Sequence, residues 1–168
     1  LGILEDEGVV TTGIHQITGE ESGQAYMMID PDGENVIANH LGANARLGLK
    51  HLKKVELRRQ LRECRGIVLT DPPLEVAKAL INTAKGYEIP LLWAPGILID
   101  QNREALLLLV KEAEVVFSNE IEANALLGAS EFKASFHELK KLGFSNHMVF
   151  KLGSQGALMV EPADGTVI

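Results

Sequence analysis

From residue 42 onward, short apolar runs alternate with stretches in which apolar residues recur every three or four positions. The runs predict strands and the periodic stretches predict helices. Strands are predicted at 66–70, 90–93, 115–117 and 147–152, and helices at 52–62, 74–85, 103–110 and 135–142. Nearly all-apolar strands that alternate with helices are typical of a parallel sheet covered by helices. The pattern therefore predicts a doubly wound, mostly parallel α/β sheet with helices on both faces.

The first 41 residues have a different, β-rich pattern. Residues 1–5 resemble the last turn of a helix, and residues 9–14 are predicted as a strand. Strands at 24–30 and 34–40 flank Pro31-Asp32-Gly33, a strong turn sequence, and so predict a β-hairpin. We therefore expect a β-rich segment at 1–41 and an α/β part at 42–168. Because the chain opens and closes inside predicted elements, we also expect it to be the central piece of a longer protein.

Composition narrows the class of protein. The 16 Lys and Arg residues against 23 Asp and Glu give a formal charge of −7, which argues against a nucleic-acid or anionic-membrane partner. Cys64 is the only cysteine, so no intrachain disulfide can form and a reducing, cytoplasmic location is expected. No apolar run approaches the roughly 20 residues that a membrane-spanning helix needs. The chain is long enough to bury one substantial core.

The stretch 115–128, VVFSNEIEANALLG, joins a predicted strand directly to a predicted helix. Asn119 is a favoured N-cap residue, and Glu122 three positions later completes an arrangement that resembles a capping box. Gly128 is placed to end the helix. Helix capping explains these residues without any function.

The position of the same stretch also permits a role in ligand binding. In open α/β sheets, ligands bind beyond the carboxyl ends of the strands, near helix N-termini that favour anions. Glu120 and Glu122 would repel a bare phosphate, so Glu122 is better suited to face Mg²⁺ or its waters beside a nucleotide. On this motif alone, capping is the simpler interpretation and the metal role stays open.

Three further segments follow predicted strands of the same sheet: Asp71-Pro72-Pro73, Ala94-Pro95-Gly96 and Gly153-Ser154-Gln155-Gly156. Residues 151–156, KLGSQG, could form a backbone cradle for a nucleotide phosphate with Lys151 as the local cation, or a tight hairpin into a strand at 157–160. Asp71 precedes two prolines, which fix the backbone there. Its carboxylate could face a polyol hydroxyl, or it could cap the helix that begins near Pro73. Both pairs of alternatives stay open.

Four motifs together resemble those of the ribokinase family of sugar and nucleoside kinases, the phosphofructokinase-B type. They are SGQAYMMIDPDGENVIANHLGAN, DPPLE, NEIEANALLG and KLGSQGA, in that order, and the resemblance covers nearly all 168 residues. It implies a β-sheet lid that closes over a doubly wound α/β domain, with the sugar between them. It also implies that MgATP delivers its γ-phosphate to a sugar hydroxyl.

The resemblance assigns roles to individual residues. Asn119 would contact the nucleotide phosphates, Glu122 would order Mg²⁺, and Asp71 would be the carboxylate that contacts the sugar. Ala25 and Ile37 would lie on the substrate side of the lid, which in family members often pairs with the lid of a second subunit. The nucleotide-binding loop would consist of Lys151, Leu152, Gly153, Ser154, Gln155 and Gly156.

The chain departs from the family pattern in what it lacks. The early glycine-rich substrate motif is expected before Leu1, and the G-A-G-D motif with the catalytic Asp is expected beyond Ile168, so this chain supplies no catalytic base. Lys151 replaces the threonine of some ribokinases, which leaves the sugar open. The expected function is ATP-dependent phosphorylation of a ribose-like or related carbohydrate hydroxyl. The alternatives are a nucleoside kinase of the same family and a non-catalytic nucleotide- or sugar-binding module.

Overall fold

The computed structural model describes residues 1–33, 35–96, 102–128, 138–161 and 166–167. The chain divides into two compact units, Leu1–Arg59 and Gln60–Ile168. The first unit contains a two-stranded sheet, and the second contains a six-stranded sheet.

The first unit is built around an antiparallel hairpin. Its elements are helix α1 (Gly2–Asp6), strands β1 (Gln24–Ile29) and β2 (Asn35–His40), two 3₁₀ helices (Gly42–Arg46 and Leu49–Lys53) and the beginning of helix α2 (Val55–Glu63). In the hairpin turn, the Gly33 N–H donates to the Asp30 carbonyl at 3.1 Å, and the Asp32 N–H donates to the Asp30 carboxylate at 2.9 Å. Gly33 has φ +88°, a conformation that glycine adopts without steric cost. The predicted hairpin is confirmed.

The register of the hairpin decides which side chains share a face. Ala25 lies opposite Asn39, and Met27 lies opposite Ile37, so Ala25, Met27 and Ile37 point to the same side. Every residue of both strands is exposed. The large apolar side chains that are exposed on the two faces are Tyr26, Met27, Met28, Ile29, Val36 and Ile37. A hairpin that buries so little is only marginally stable by itself.

In this region one predicted strand is absent, and one predicted helix is present but starts later than expected. Residues 9–14 form no strand, because the Ile14 N–H closes a turn on the Thr11 carbonyl at 2.9 Å and interrupts the extended run. The helix predicted from residue 52 begins at Val55 instead. Lys54 has an extended backbone, with ψ 133°, and it separates the preceding 3₁₀ helix from α2. The spacing of apolar residues is the same in the 3₁₀ helix and in α2, so the sequence could not show where the first ends and the second begins.

The second unit is an α/β sheet. Its strands are β3 (Ile67–Thr70), β4 (Leu91–Ala94), β5 (Val115–Asn119), β6 (His147–Lys151), β7 (Ala157–Glu161) and β8 (Thr166–Val167), and they lie side by side in chain order. Strands β3 to β6 are parallel, and β7 and β8 continue the sheet antiparallel. Helices α3 (Leu74–Tyr87), α4 (Arg103–Val110) and α5 (Glu120–Leu127) occupy the connections between the parallel strands. The predicted mostly parallel α/β sheet is confirmed.

The core of this unit forms where helices pack on the sheet. Its largest fully buried side chains are Trp93, Phe150, Leu106, Leu126, Leu127, Leu139 and Met148. Buried and more exposed residues alternate along the strands, because successive side chains point to opposite faces. Thus Ile67 and Leu69 are buried, whereas Val68 between them is 71% exposed. One face of the sheet is tightly packed, and the other is covered less completely.

Helix ends in this unit agree with the sequence in part. Helix α3 begins at Leu74 as predicted and continues to Tyr87, where Glu88 ends it in a left-handed conformation with φ +55°. Its N-cap position is Pro73, so the alternative in which Asp71 caps this helix is wrong. Residues 138–141 are helical, but the first residues of the helix predicted at 135–142 lie outside the described residues.

Candidate functional site

The carboxyl ends of the parallel strands bring the predicted site residues into one row. Asp71 follows β3, Gly96 lies two residues after β4, Asn119 ends β5 and Lys151 ends β6. The four strands are adjacent and parallel, so these ends share one edge of the sheet. This edge is where open α/β sheets bind ligands.

A complete capping box is present at the junction of β5 and α5. The Glu122 N–H donates to Asn119 Oδ1 at 2.7 Å, and the Asn119 N–H donates to Glu122 Oε2 at 2.9 Å. The predicted capping role is therefore confirmed. It engages Oε2 of the Glu122 carboxylate and fixes that side chain across the first turn of the helix.

Packing of α5 against the core fixes the position of its first turn. Ala123, Leu126 and Leu127 of α5 are buried against the core. Arg103, the first residue of α4, donates from Nε to the carbonyls of Ala125 and Leu126 at 3.0 and 2.8 Å. These carbonyls lie at the end of α5, where the helix itself leaves them without partners. The N-terminus of α5 is thus presented at the sheet edge on a helix fixed at both ends.

Lys151 places a positive charge beside this helix terminus. In the parallel pairing of β5 with β6, Lys151 is the direct partner of Asn119. Phe150 before it is buried, whereas Lys151 is exposed. Among the residues that the structure describes, no carboxylate lies within ion-pair distance of Lys151. Lys151 and the helix N-terminus favour an anion, whereas Glu120 and Glu122 in the first turn of α5 oppose a bare one.

The loop after β6 is a tight turn. Gly153–Gln155 form one 3₁₀ turn, and the Leu152 N–H donates to the Gly156 carbonyl at 2.8 Å. Gly153 and Gly156 have φ +58° and +92°, which glycine adopts readily. Strand β7 then pairs antiparallel with β6, so the hairpin alternative is confirmed. The turn is exposed and has open space around both glycines, and its role as a nucleotide loop stays a prediction.

Asp71 stands at the other end of the row, close to Gly96 of the predicted edge segment Ala94-Pro95-Gly96. Its backbone has φ +46°, and its side chain is packed against Gly96. The sequence placed the Pro95-Gly96 turn at this edge, but it gave no role to Gly96. Ala25 and Ile37, the other predicted substrate contacts, belong to the hairpin of the first unit.

The donor set fits Mg²⁺ better than a preformed metal centre. Within the described ranges, no three His, Cys, Asp or Glu side chains come together as a metal-binding group. Glu122 is the metal ligand that the family resemblance predicts at this edge. Mg²⁺ keeps several waters and commonly uses one or two carboxylates together with substrate phosphates. The residues present are compatible with such a cation, and the Mg²⁺ role of Glu122 stays a prediction.

The whole chain, residues 1–168, matches the model of the pfkB family of carbohydrate kinases. The chain belongs to this family. A ribokinase from Schizosaccharomyces pombe is 24% identical over 162 residues, which are 92% of this chain and 49% of that protein. An ATP-dependent ribose-1-phosphate kinase from Halopiger xanaduensis is 26% identical over 167 residues, 98% of this chain and 52% of that protein. This pfkB-family chain therefore spans about half the length of the curated relatives it matches.

The fold of this chain is similar to that of solved ribokinase structures. The structure of ribokinase from Giardia lamblia has a TM-score of 0.78 and is 20% identical, covering 99% of this chain and 52% of that one. At this identity the likeness shows the ribokinase-like fold. In the described residues of the pfkB-family chain, no helix is long and apolar enough to cross a membrane.

Proposed function

We propose that the protein containing this chain is an ATP-dependent carbohydrate kinase that phosphorylates a hydroxyl of a ribose-like sugar. One observation carries the proposal. Lys151 is the direct strand partner of Asn119 at the carboxyl edge of the sheet, so a cation lies beside the N-terminus of α5. Membership of the pfkB family supports this assignment, as do the two relatives named for ribose and ribose 1-phosphate.

We assign different roles to the positively and negatively charged residues of this edge. Lys151, Asn119 and the turn 152–156 are proposed to hold the ATP phosphates. Glu122 is proposed to order Mg²⁺, which when bound neutralises charge on the phosphates during transfer. Phosphoryl transfer depends mostly on positioning and charge stabilisation, so these binding residues carry much of the catalytic effect. None of the residues in this chain is proposed as the general base.

The acceptor is proposed to lie near Asp71, whose carboxylate can accept hydrogen bonds from sugar hydroxyls. Ala25 and Ile37 are proposed to contribute apolar contacts from the lid hairpin. A nucleoside acceptor is the alternative within the same family, and a binding module without turnover is the alternative outside it. A cytoplasmic location stays a proposal that rests on the single cysteine, Cys64.

Acceptor-dependent release of ADP tests the proposed activity. The full-length protein with MgATP is expected to release ADP only when an acceptor is added, and fastest with ribose or a ribose phosphate. The panel should contain ribose, ribose 1-phosphate, fructose 6-phosphate, adenosine and inosine, with a reaction lacking acceptor as the control. Preference for a nucleoside would favour the alternative kinase. A melting-temperature shift with a sugar but no ADP release would favour the binding module.

We also propose that the hairpin pairs with the hairpin of a second copy. Apolar side chains are exposed on both of its faces, and a second copy would cover one of them. Ile37 and Val36 point to opposite faces, so Ile37→Asp and Val36→Asp form a matched pair. Small-angle scattering should show a dimer for the unchanged protein and a monomer for one of the two variants. A monomeric unchanged protein at high concentration would contradict the proposal.

A further inference from the structure

The carboxylate of Asp71 is held by an unusual backbone. Asp71 directly follows β3 and has φ +46°, a backbone conformation that residues other than glycine rarely adopt. Pro72 after it is buried, and Pro73 begins the approach to α3 with φ −52°. Two successive prolines restrict the chain, because each ring fixes its own φ. The backbone therefore permits little variation in where the Asp71 side chain starts.

The space that the carboxylate occupies is provided by Gly96. In the pairing of β3 with β4, Thr70 lies opposite Ala94, which places Asp71 next to the turn at Pro95 and Gly96. A Cβ atom on Gly96 would lie 3.0 Å from both Cγ and Oδ2 of Asp71, and closer still to Oδ1. Distances this short are not tolerated between such atoms. The Asp71 carboxylate thus fills the volume that any other side chain at position 96 would need.

Gly96 itself cannot easily move away. Pro95 before it is fully buried, and Ala94 is the last residue of strand β4, which lies between β3 and β5. Gly96 also has φ +47°, so its backbone takes a conformation suited to glycine. A side chain introduced here would therefore act mainly on the Asp71 carboxylate, whose atoms are the nearest to the new Cβ.

We propose that Gly96 is a positioning residue for the acceptor site: its missing side chain sets the direction in which the Asp71 carboxylate faces the acceptor hydroxyls. The inference rests on the proposed function, in which Asp71 contacts the acceptor. It adds a residue from the turn after β4 to the site and explains why a glycine stands at this edge.

Gly96→Ala in the full-length protein tests the inference. The added methyl group should turn the Asp71 carboxylate and raise the KM for the acceptor by about 10-fold, the order expected for one weakened hydrogen bond to a charged group. The KM for ATP should stay unchanged. Gly143→Ala is the matched control, since Gly143 also has a positive φ, +75°, but has no atom within 4 Å of the new Cβ. It introduces similar backbone strain without touching Asp71.

A double variant separates positioning from a general structural effect. If Gly96 acts through Asp71, then Gly96→Ala should not raise the acceptor KM further in an Asp71→Ala background. A further 10-fold rise in that background would overturn the inference and leave the proposed function standing. An unchanged acceptor KM in Asp71→Ala alone would remove the sugar-contacting role of Asp71, and with it both proposals for this residue.

Folding gives a second, activity-independent test. Melting temperatures should show that Gly96→Ala costs less stability in an Asp71→Ala background than in the unchanged protein, because the truncated Asp71 no longer meets the new methyl group. If Gly96→Ala fails to fold and the double variant folds, the contact with Asp71 is supported. If both fail to fold, the strain does not involve Asp71 and the inference is overturned.

Discussion

Glu122→Gln is expected to lower turnover by about 10- to 100-fold without unfolding the protein. Glutamine keeps an oxygen that can accept the Asn119 N–H, so the capping box observed at the start of α5 should survive. It removes the negative charge that we propose orders Mg²⁺. The measurement is kcat as a function of free Mg²⁺, together with the melting temperature of each protein.

Glu120→Gln is the matched control for this experiment. Glu120 is also an acidic residue in the first turn of α5, but it is exposed and is not the Glu of the capping box. Its substitution should leave kcat and the Mg²⁺ dependence near those of the unchanged protein. Asn119→Ala is a poorer test, because loss of the N-cap side chain costs about 1 kcal/mol of stability. Equal Mg²⁺ dependence in Glu122→Gln and the unchanged protein would leave capping as the only role of Glu122.

Trp93→Ala is expected to lower the free energy of unfolding by about 3–5 kcal/mol. Trp93 is fully buried in β4, at the centre of the contacts between the sheet and its helices, and alanine would leave a large cavity. Urea unfolding followed by circular dichroism measures the loss. Leu108→Ala on the exposed side of α4 is the control, since Leu108 is 69% exposed and should change stability by no more than about 0.5 kcal/mol.

Trp93→Phe is expected to cost much less than Trp93→Ala. The indole Nε1 is buried without a hydrogen-bond partner among the described residues, and a buried unpaired donor is itself unfavourable. Phenylalanine removes this donor and keeps most of the apolar volume. A loss as large as that of the alanine variant would contradict this expectation.

The local features of this protein follow from its sequence. The hairpin turn at Pro31-Asp32-Gly33, the capping box of Asn119 and Glu122, and the helix end at Gly128 are each formed by residues within a few positions of one another. The interactions that fix them are short-range, so the residue types and spacing were enough to predict them. The alternation of apolar runs and helical periodicity likewise predicted the α/β class.

Other features depended on partners that are distant in the chain. The segment 9–14 has the residues of a strand, yet a strand needs a neighbour to pair with, and here a turn forms instead. Asn119 and Lys151 become neighbours only because β5 and β6 pair in one particular register. The sequence placed both residues at strand ends, but it could not give the distance between them.

The contact between Asp71 and Gly96 shows most clearly what the sequence determined and what only the tertiary structure decided. The sequence determined that Asp71 follows a strand and precedes two prolines, and that a Pro-Gly turn follows the next strand. The tertiary structure decided that the Asp71 carboxylate occupies the space above Gly96 and does not cap α3. The direction of a side chain depends on the free volume that neighbouring strands leave, and this volume exists only once the sheet has formed.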